Sequence, residues 1–190
     1  MAELKRRILE NGAVLPGGVL RVDSFLNQQI DMKLMRDIGA AFAARFHLFH
    51  PDIVLTIESS GIVPAGQAAL ALEVPLVICK KQASRITQAE LYETNVQSFT
   101  KGTSYELSVS KAFLMPGARV LFIDDFLAMG EAALGACRLI EQAGASLAGI
   151  GIVIEKTFQP GRSKLDSLGR PIFSLARISS MSEAGITWAE

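Results

Sequence analysis

The sequence predicts an α/β domain with a central parallel sheet flanked by helices, and three observations support this prediction. Of the 190 residues, 49% are apolar, which is enough to bury one substantial core. The chain contains two strand–helix–strand units, with strands at residues 53–57, 75–79, 120–123 and 147–154. These strands are continuously apolar, which is typical of strands buried on both faces of a parallel sheet.

Helices are predicted from the spacing of apolar residues. Leu4 and Ile8, followed by the stop at Gly12, predict a short first helix. Apolar residues recur every four positions over residues 30–46, and Asp31 is placed to cap the N-terminus of this second helix. One further helix lies within each strand–helix–strand unit. The first of these is rich in alanine, and the second covers residues 131–143.

Two segments outside these units are less regular. The polar segment Lys80–Gly102 has the length of a functional lid or of a hairpin without a clear signature. The tail contains a turn at Gln159-Pro160-Gly161 and weak strands at residues 171–175 and 186–188.

We expect one domain over residues 1–190. Its core covers about residues 30–156. The two termini form a small antiparallel hood, from about residues 1–29 and 157–190.

Charge and hydropathy exclude several classes of protein. The 19 basic and 19 acidic side chains balance, whereas proteins that bind nucleic acid through its phosphates usually carry a basic excess. The longest stretch without a charged residue, Ser59–Leu72, contains Pro64 and is shorter than the roughly 20 residues of a membrane-spanning helix. A charged N-terminus and two cysteines, Cys79 and Cys137, favour a reduced cytoplasmic protein. We therefore expect neither nucleic acid nor a membrane as partner.

Polar side chains follow all four predicted strands. They are Glu58-Ser59-Ser60-Gly61, Lys80-Lys81, Asp124-Asp125 and Glu155-Lys156. Ligands of open α/β sheets bind beyond the carboxyl ends of the strands, so these residues are expected to form one site.

The third of these loops is the most specific. Asp124-Asp125 precedes a turn at Gly130 that leads into a helix, and the free N–H groups of a helix N-terminus favour an anion such as phosphate. Two adjacent carboxylates accept hydrogen bonds from a vicinal diol or bind a magnesium ion that the ligand bridges. The loop therefore predicts a ribose phosphate site.

Each of these motifs also has an ordinary structural interpretation. Asp124-Asp125 can cap the next helix, and Glu58–Gly61 can be a simple helix N-terminus. Lys80, Lys81 and Lys156, taken singly, are typical of a solvated surface. Their shared position at strand ends is what favours a functional interpretation.

The segment Val120–Gly130 resembles the phosphoribosyl pyrophosphate signature of type I phosphoribosyltransferases. Further segments resemble, in order and spacing, the bacterial members of this family that use xanthine, over nearly the whole chain. These segments are Val22–Asp31, Glu58–Ile62, Ser98–Lys101, Gly149–Lys156 and Phe158–Arg162. The resemblance implies the type I phosphoribosyltransferase fold, with its hood formed by the N- and C-terminal segments.

The resemblance also implies an activity. The enzyme would transfer the phosphoribosyl group from phosphoribosyl pyrophosphate to xanthine in purine salvage, giving xanthosine monophosphate and pyrophosphate, and it would act as a homodimer. By similarity, Leu20, Asn27 and Lys156 bind the purine. Phosphoribosyl pyrophosphate contacts Asp124, Asp125, Ala128, Met129, Gly130, Glu131 and Ala132.

We assign the leaving pyrophosphate to the backbone of Ser59, Ser60 and Gly61 and to the charge of Lys80 or Lys81. Magnesium is expected to be bound mainly through phosphoribosyl pyrophosphate, without a metal site built from protein side chains alone.

Two departures from the patterns of related enzymes affect the predicted site. Many relatives carry hydroxyl residues where Met129 and Ala132 stand, so the phosphate must depend more on backbone N–H groups. Glu131 brings a negative charge close to the phosphate, and we expect its side chain to point away. Relatives that use hypoxanthine and guanine have an aspartate at Ala128, so no residue is assigned as the base that deprotonates the purine.

Two alternatives stay open. One is a phosphoribosyltransferase for guanine or hypoxanthine, because Lys156 facing the purine 6-position suits an oxo group rather than the amino group of adenine. The other is a regulator on the same fold that senses a purine or phosphoribosyl pyrophosphate, although the chain has no basic excess for DNA binding.

Overall fold

A computed structural model describes residues 1–81, 90–98 and 103–190, apart from the side chain of Ser98. The elements are α1 (Ala2–Asn11), β1 (Ala13–Leu15), β2 (Val19–Arg21), a short π-helix (Asp23–Asn27), α2 (Met32–Phe46), a 3-10 turn (His47–Phe49), β3 (Ile53–Ile57), α3 (Ile62–Leu72), β4 (Leu76–Lys81), β5 (Leu91–Ser98), β6 (Thr103–Ser110), β7 (Arg119–Leu127), α4 (Glu131–Gln142), β8 (Ser146–Lys156), α5 (Gly161–Asp166), β9 (Ile172–Ser182) and β10 (Gly185–Trp188).

The centre of the molecule is a sheet of eight strands in the order β10-β9-β8-β7-β3-β4-β6-β5. The five central strands, β9 to β4, are mutually parallel, and the strands at both edges are antiparallel to their neighbours. This confirms the predicted α/β class. The four predicted core strands are present, and the first helices begin and end close to the predicted residues. Asp31 caps α2, because its carboxylate accepts hydrogen bonds from the N–H groups of Lys33 and Leu34.

Helices cover both faces of the sheet. Residues of α2 and α3, among them Phe42 and Ala68, pack on one face with Leu121 and Ile123 of β7. Residues of α4 pack on the other face, where Phe122 of β7 points. Because side chains alternate along a strand, one strand supplies both layers. Among the described residues, no helix is long and apolar enough to cross a membrane.

The acidic pair lies in a strand and not in a loop. The sequence predicts a strand over residues 120–123, but β7 continues to Leu127 because its pairing with β8 continues, with Asp124 opposite Ile152 and Phe126 opposite Ile154. Polar residues at the end of a strand hide this continuation, since they resemble a loop in sequence.

The polar segment Lys80–Gly102 contains a strand of the sheet. β5 pairs with β6 from Leu91–Ser110 to Ser98–Thr103, which fits the hairpin alternative. Residues 82–89 and 99–102 lie outside the described residues, and with them most of the Ser98–Lys101 motif.

The C-terminal strands lie in the central sheet, which differs from the purely antiparallel arrangement predicted for the termini. β9 is parallel to β8, and β10 is antiparallel to β9, so both extend the central sheet. The separate two-stranded sheet β1–β2 is formed by the N-terminal segment only. The termini still meet, because the amino group of Met1 donates to the carbonyl of Leu175, 2.9 Å away. Helix α5 was expected only as a turn. The division into core and hood stays a prediction.

Candidate active site

The carboxyl ends of β3, β4, β7 and β8 lie at one edge of the sheet, and two cavities open there. The small cavity, about 230 Å³, is lined by Ile57, Glu58, Ser59, Ser60, Lys81, Asp124, Asp125, Phe126 and Ala132. The large cavity, about 980 Å³, is lined by Gly17, Gly18, Val19, Lys81, Gln97, Thr103, Ser104, Tyr105, Phe126, Leu127, Ala128, Met129, Gly130, Glu131, Ala132, Ala133, Lys156 and Gln159. Lys81, Phe126 and Ala132 line both, so the cavities are adjacent.

Glu58 fixes the loop after β3 to the end of β4. Its carboxylate accepts a hydrogen bond of 2.7 Å from the N–H of Lys81 and forms an ion pair of 3.0 Å with Nζ of Lys80. Burial alone would raise the pKa of Glu58, but these two partners hold it below its ordinary value. The peptide bond between Glu58 and Ser59 is cis. The first loop (residues 58–61) lines the small cavity with Glu58 and two serines, and the carboxylate of Glu58 is already bound by the two lysine residues.

Gly61 brings the first loop against the acidic pair. A β-carbon at Gly61 would lie 2.4 Å from Oγ1 of Thr56 and 2.9 Å from Oδ1 of Asp124, both shorter than any normal contact. The loop can approach Asp124 this closely only because residue 61 has no side chain.

Asp124 is buried and Asp125 is half-buried, and both accept hydrogen bonds within their own strand. The N–H of Asp125 donates to Oδ1 of Asp124, and the N–H of Phe126 donates to Oδ1 of Asp125, each over 3.0 Å. Burial, with the charge of Asp125, raises the pKa of Asp124 well above its ordinary value, and burial also raises the pKa of Asp125. A ligand that supplies hydroxyl donors or a cation would stabilise the ionised pair.

The two lysines at the end of β4 point in different directions. Lys80 is paired with Glu58 and lines neither cavity. Lys81 lines both cavities, and its Nζ lies 5.7 Å from the centroid of the Tyr105 ring. Adjacent residues of a strand face opposite sides, which separates two lysines that are neighbours in sequence.

The Gly130 turn (residues 128–132) leads into α4 and lines the large cavity along its whole length. Gly130 has φ +85°, a conformation that favours glycine. The turn is held from behind by α5, because the N–H of Gly161 donates to the carbonyl of Ala128 over 2.9 Å. The carboxylate of Glu131 lies 2.6 Å from Nζ of Lys164. The turn therefore presents the N–H groups of a helix N-terminus to the cavity.

The residues predicted to bind the purine lie in different environments. Lys156 lines the large cavity, where its Nζ donates to the carbonyl of Gly18 over 2.8 Å, and burial lowers its pKa. Leu20 is buried in the core with 5% of its surface exposed, and Asn27 is exposed at the end of the π-helix. Neither is among the described residues that line the two cavities, and their role in binding the purine stays a prediction.

Two aromatic residues of the site, Phe126 and Tyr105, were not predicted from the sequence. Phe126 lines both cavities, and its ring centroid is 5.6 Å from Nζ of Lys156. Two-residue alternation along β7 after Asp124 could have revealed it, had the strand been predicted to continue. Tyr105 enters through the antiparallel pairing of β6 with β4, for which the local sequence carries no signal.

Comparisons with known proteins show the family and the fold of the chain. The family model described as a phosphoribosyl transferase domain matches residues 27–168. A protein of Clostridium botulinum (strain Hall) named xanthine phosphoribosyltransferase 1 is 50% identical over 190 residues, covering 100% of both chains. A protein of Listeria innocua named xanthine phosphoribosyltransferase is 52% identical, covering 100% of this chain and 99% of its own. The crystal structure of an adenine phosphoribosyltransferase from Thermoanaerobacter pseudethanolicus is similar in fold, with a TM-score of 0.77, 24% identity, and coverage of 93% of this chain and 98% of that one.

Proposed function

The chain belongs to the phosphoribosyl transferase family, and from this premise we propose that it transfers the 5-phosphoribosyl group from phosphoribosyl pyrophosphate to xanthine. The products are xanthosine monophosphate and pyrophosphate. One observation carries the proposal: the pair Asp124-Asp125 lines the small cavity, which adjoins a large cavity lined by both the Gly130 turn and Lys156. Relatives that are about half identical in sequence over the full length are named xanthine phosphoribosyltransferases, which supports xanthine as the base.

Phosphoribosyl pyrophosphate fits across the two cavities. Its 5-phosphate accepts hydrogen bonds from the N–H groups of the Gly130 turn. Its ribose hydroxyls donate to the carboxylates of Asp124 and Asp125. Its pyrophosphate occupies the small cavity, against the backbone of Ser59, Ser60 and Gly61 and the ammonium group of Lys81.

The purine occupies the large cavity beside Lys156 and Phe126. The flat face of an aromatic ring suits a heterocycle, and a lysine ammonium group donates to an oxo group or a ring nitrogen. Lys156 now donates to the carbonyl of Gly18, so base binding would replace or share that hydrogen bond. Leu20 and Asn27 stay predictions from the family resemblance.

The reaction exchanges one bond at the anomeric carbon for another. A purine nitrogen forms the new bond to this carbon while the bond to the pyrophosphate oxygen breaks and its electron pair leaves with pyrophosphate. Positive charge develops on the sugar, as in other glycosyl transfers. Lys81 faces the leaving group and stabilises its negative charge. Ala128 has no group that accepts a proton, so the purine proton leaves without help from this position.

The site suits magnesium that arrives with the substrate. Among the described residues, no group of three or more His, Cys, Asp or Glu side chains could hold a metal ion alone. Magnesium typically uses one or two carboxylates together with substrate phosphates, and Asp124 and Asp125 would provide these carboxylates. When bound, the ion neutralises charge on the pyrophosphate.

The proposal includes a homodimer and a cytoplasmic location. Light scattering on the purified protein tests the first, with a mass twice the 20.4 kDa of the chain expected. Cell fractionation tests the second.

A panel of bases tests the proposed activity. Purified protein is given phosphoribosyl pyrophosphate, magnesium and one base at a time: xanthine, guanine, hypoxanthine or adenine. Pyrophosphate release is measured, and the nucleotide is identified by its mass. We expect release with xanthine to be far ahead of the other bases. A lead by guanine or hypoxanthine would contradict the base assignment and keep the transferase, whereas binding of phosphoribosyl pyrophosphate without release for any base would favour a sensor.

A further inference from the structure

Glu131 places a negative charge at the Gly130 turn. It is the first residue of the twelve-residue helix α4, and it lines the large cavity with the rest of the turn. A carboxylate in the first turn of a helix is favourable in the free protein, because it faces the positive end of the helix dipole. At a turn that binds a phosphate, however, the same carboxylate repels the ligand.

Lys164 is close enough to Glu131 to neutralise the charge that would repel the phosphate. Its Nζ is 2.6 Å from Oε1 of Glu131, and the side chains are 35% and 30% exposed. The pair is therefore better shielded from water than most surface ion pairs, and its two charges cancel at short range. The carboxylate is also directed at α5, which lies behind the turn.

Helix α5 is fixed to the Gly130 turn by close backbone contact. The N–H of Gly161 donates to the carbonyl of Ala128, and a β-carbon on Gly161 would lie 2.4 Å from that oxygen. A β-carbon on Gly130 would in turn lie 2.9 Å from Cα of Gly161. Leu165, next to Lys164, is fully buried in the core. The backbone that carries Lys164 is thus held at a set distance from the turn.

We propose that Lys164 is a positioning residue for the donor substrate. It binds the carboxylate of Glu131, neutralises it, and so leaves the N–H groups of the turn free to bind the 5-phosphate. The inference rests on the proposed function and deepens it, since it adds a residue of α5 to the binding of phosphoribosyl pyrophosphate.

Binding of phosphoribosyl pyrophosphate with magnesium, without a purine, tests the role of Lys164 by isothermal titration calorimetry. We expect Lys164→Met to weaken binding roughly five- to tenfold, because the Glu131 carboxylate is then uncompensated. Lys164→Arg retains binding, since arginine restores the cation. Glu131→Gln added to Lys164→Met restores binding, because the repelling charge is gone. Glu131→Gln alone tightens binding, since it leaves Lys164 unpaired near the phosphate.

The matched control is Lys111→Met. Lys111 forms an ion pair of 3.2 Å with Glu90 and lines neither cavity, so its loss should leave binding unchanged. In turnover assays Lys164→Met should raise the KM for phosphoribosyl pyrophosphate and leave kcat nearly unchanged. Lys164→Gln takes the place of Lys164→Met if the methionine variant does not fold.

The outcomes separate this inference from the proposed function. Unchanged binding by Lys164→Met, or weakened binding that Glu131→Gln does not restore, overturns the role of Lys164 and leaves the proposed function intact. A wild-type protein that does not bind phosphoribosyl pyrophosphate overturns both.

Discussion

The first loop and the end of β7 meet in the site, and they use their acidic residues in opposite ways. In the first loop, Glu58 is bound by the N–H of Lys81 and by Lys80, and these partners keep its pKa low. At the end of β7, Asp124 and Asp125 are more deeply buried and accept hydrogen bonds from their own backbone, and their pKa values are raised. The first carboxylate holds the structure together, whereas the acidic pair is kept available for a ligand. A carboxylate at a strand end is thus no sign of function until its partners are known.

Gly61 is the point of contact between the first loop and Asp124 of β7. Gly61→Ala therefore gives the largest expected effect. The new methyl group would overlap Thr56 and Asp124, which cannot both move inside the sheet. We expect a loss of ~1–3 kcal/mol in the free energy of unfolding. Pyrophosphate release should fall about 100-fold, because reacting groups displaced by even 1 Å lose that much.

Gly66→Ala in α3 is the matched control for Gly61→Ala. A β-carbon there has only Leu76 nearby, at 3.7 Å, so the free energy of unfolding should stay equal or rise by up to about 1 kcal/mol. Chemical denaturation and the release assay measure both variants. Equal free energies of unfolding and equal rates of pyrophosphate release for the two variants would contradict the close contact of Gly61 with Thr56 and Asp124.

Asp124→Asn gives the next largest effect and sharpens the contrast with Glu58. The substitution should raise the KM for phosphoribosyl pyrophosphate roughly 10- to 100-fold, because the hydrogen bonds of a charged acceptor are lost. It should also stabilise the free protein by ~0.5–2 kcal/mol at pH 8, since the buried charge is removed.

The pH dependence follows from the raised pKa of Asp124. The folded protein holds the proton more tightly than the unfolded chain, so stability falls as the pH rises from the ordinary pKa of 3.8 through the raised one. The gain from Asp124→Asn should therefore be present at pH 8 and vanish below the ordinary pKa. Thermal unfolding of the wild type and the variant across pH measures this difference. A variant that is less stable at pH 8 would contradict the raised pKa.

The neighbouring lysines of β4 give the smallest effect. Lys81→Met should lower kcat roughly tenfold, because the leaving pyrophosphate loses a cation. Lys80→Met removes an exposed ion pair with Glu58, worth ~0–1 kcal/mol, and should change kcat little. Steady-state kinetics of the two variants test whether only Lys81 faces the site. A larger loss in Lys80→Met would reverse the assignment.

The sequence was informative where one residue determines the outcome locally. The cap at Asp31 and the buried strands of the two strand–helix–strand units follow from residue type and spacing, and so does the glycine turn at Gly130. The partner of Glu58 could not be predicted, because it depends on the distance between two strand ends.

Contacts between segments that are distant in sequence could not be predicted either. The sequence of β9 predicts only a weak strand, yet β9 pairs in parallel with β8. Helix α5 is positioned by its contact with Ala128. Tyr105 depends on the register of β6 against β4. Leu20 and Asn27 were assigned by resemblance, and neither is among the described residues that line the cavities.

The central claim is that the first loop, the acidic pair of β7 and the Gly130 turn together bind one phosphoribosyl pyrophosphate molecule. A crystal structure of the protein with phosphoribosyl pyrophosphate and magnesium tests this claim most directly. We predict the pyrophosphate on the backbone of Ser59 and Ser60, the ribose hydroxyls on Asp124 and Asp125, and the 5-phosphate on the Gly130 turn. A ligand whose pyrophosphate lies outside the small cavity, or whose ribose does not touch the acidic pair, would contradict the account.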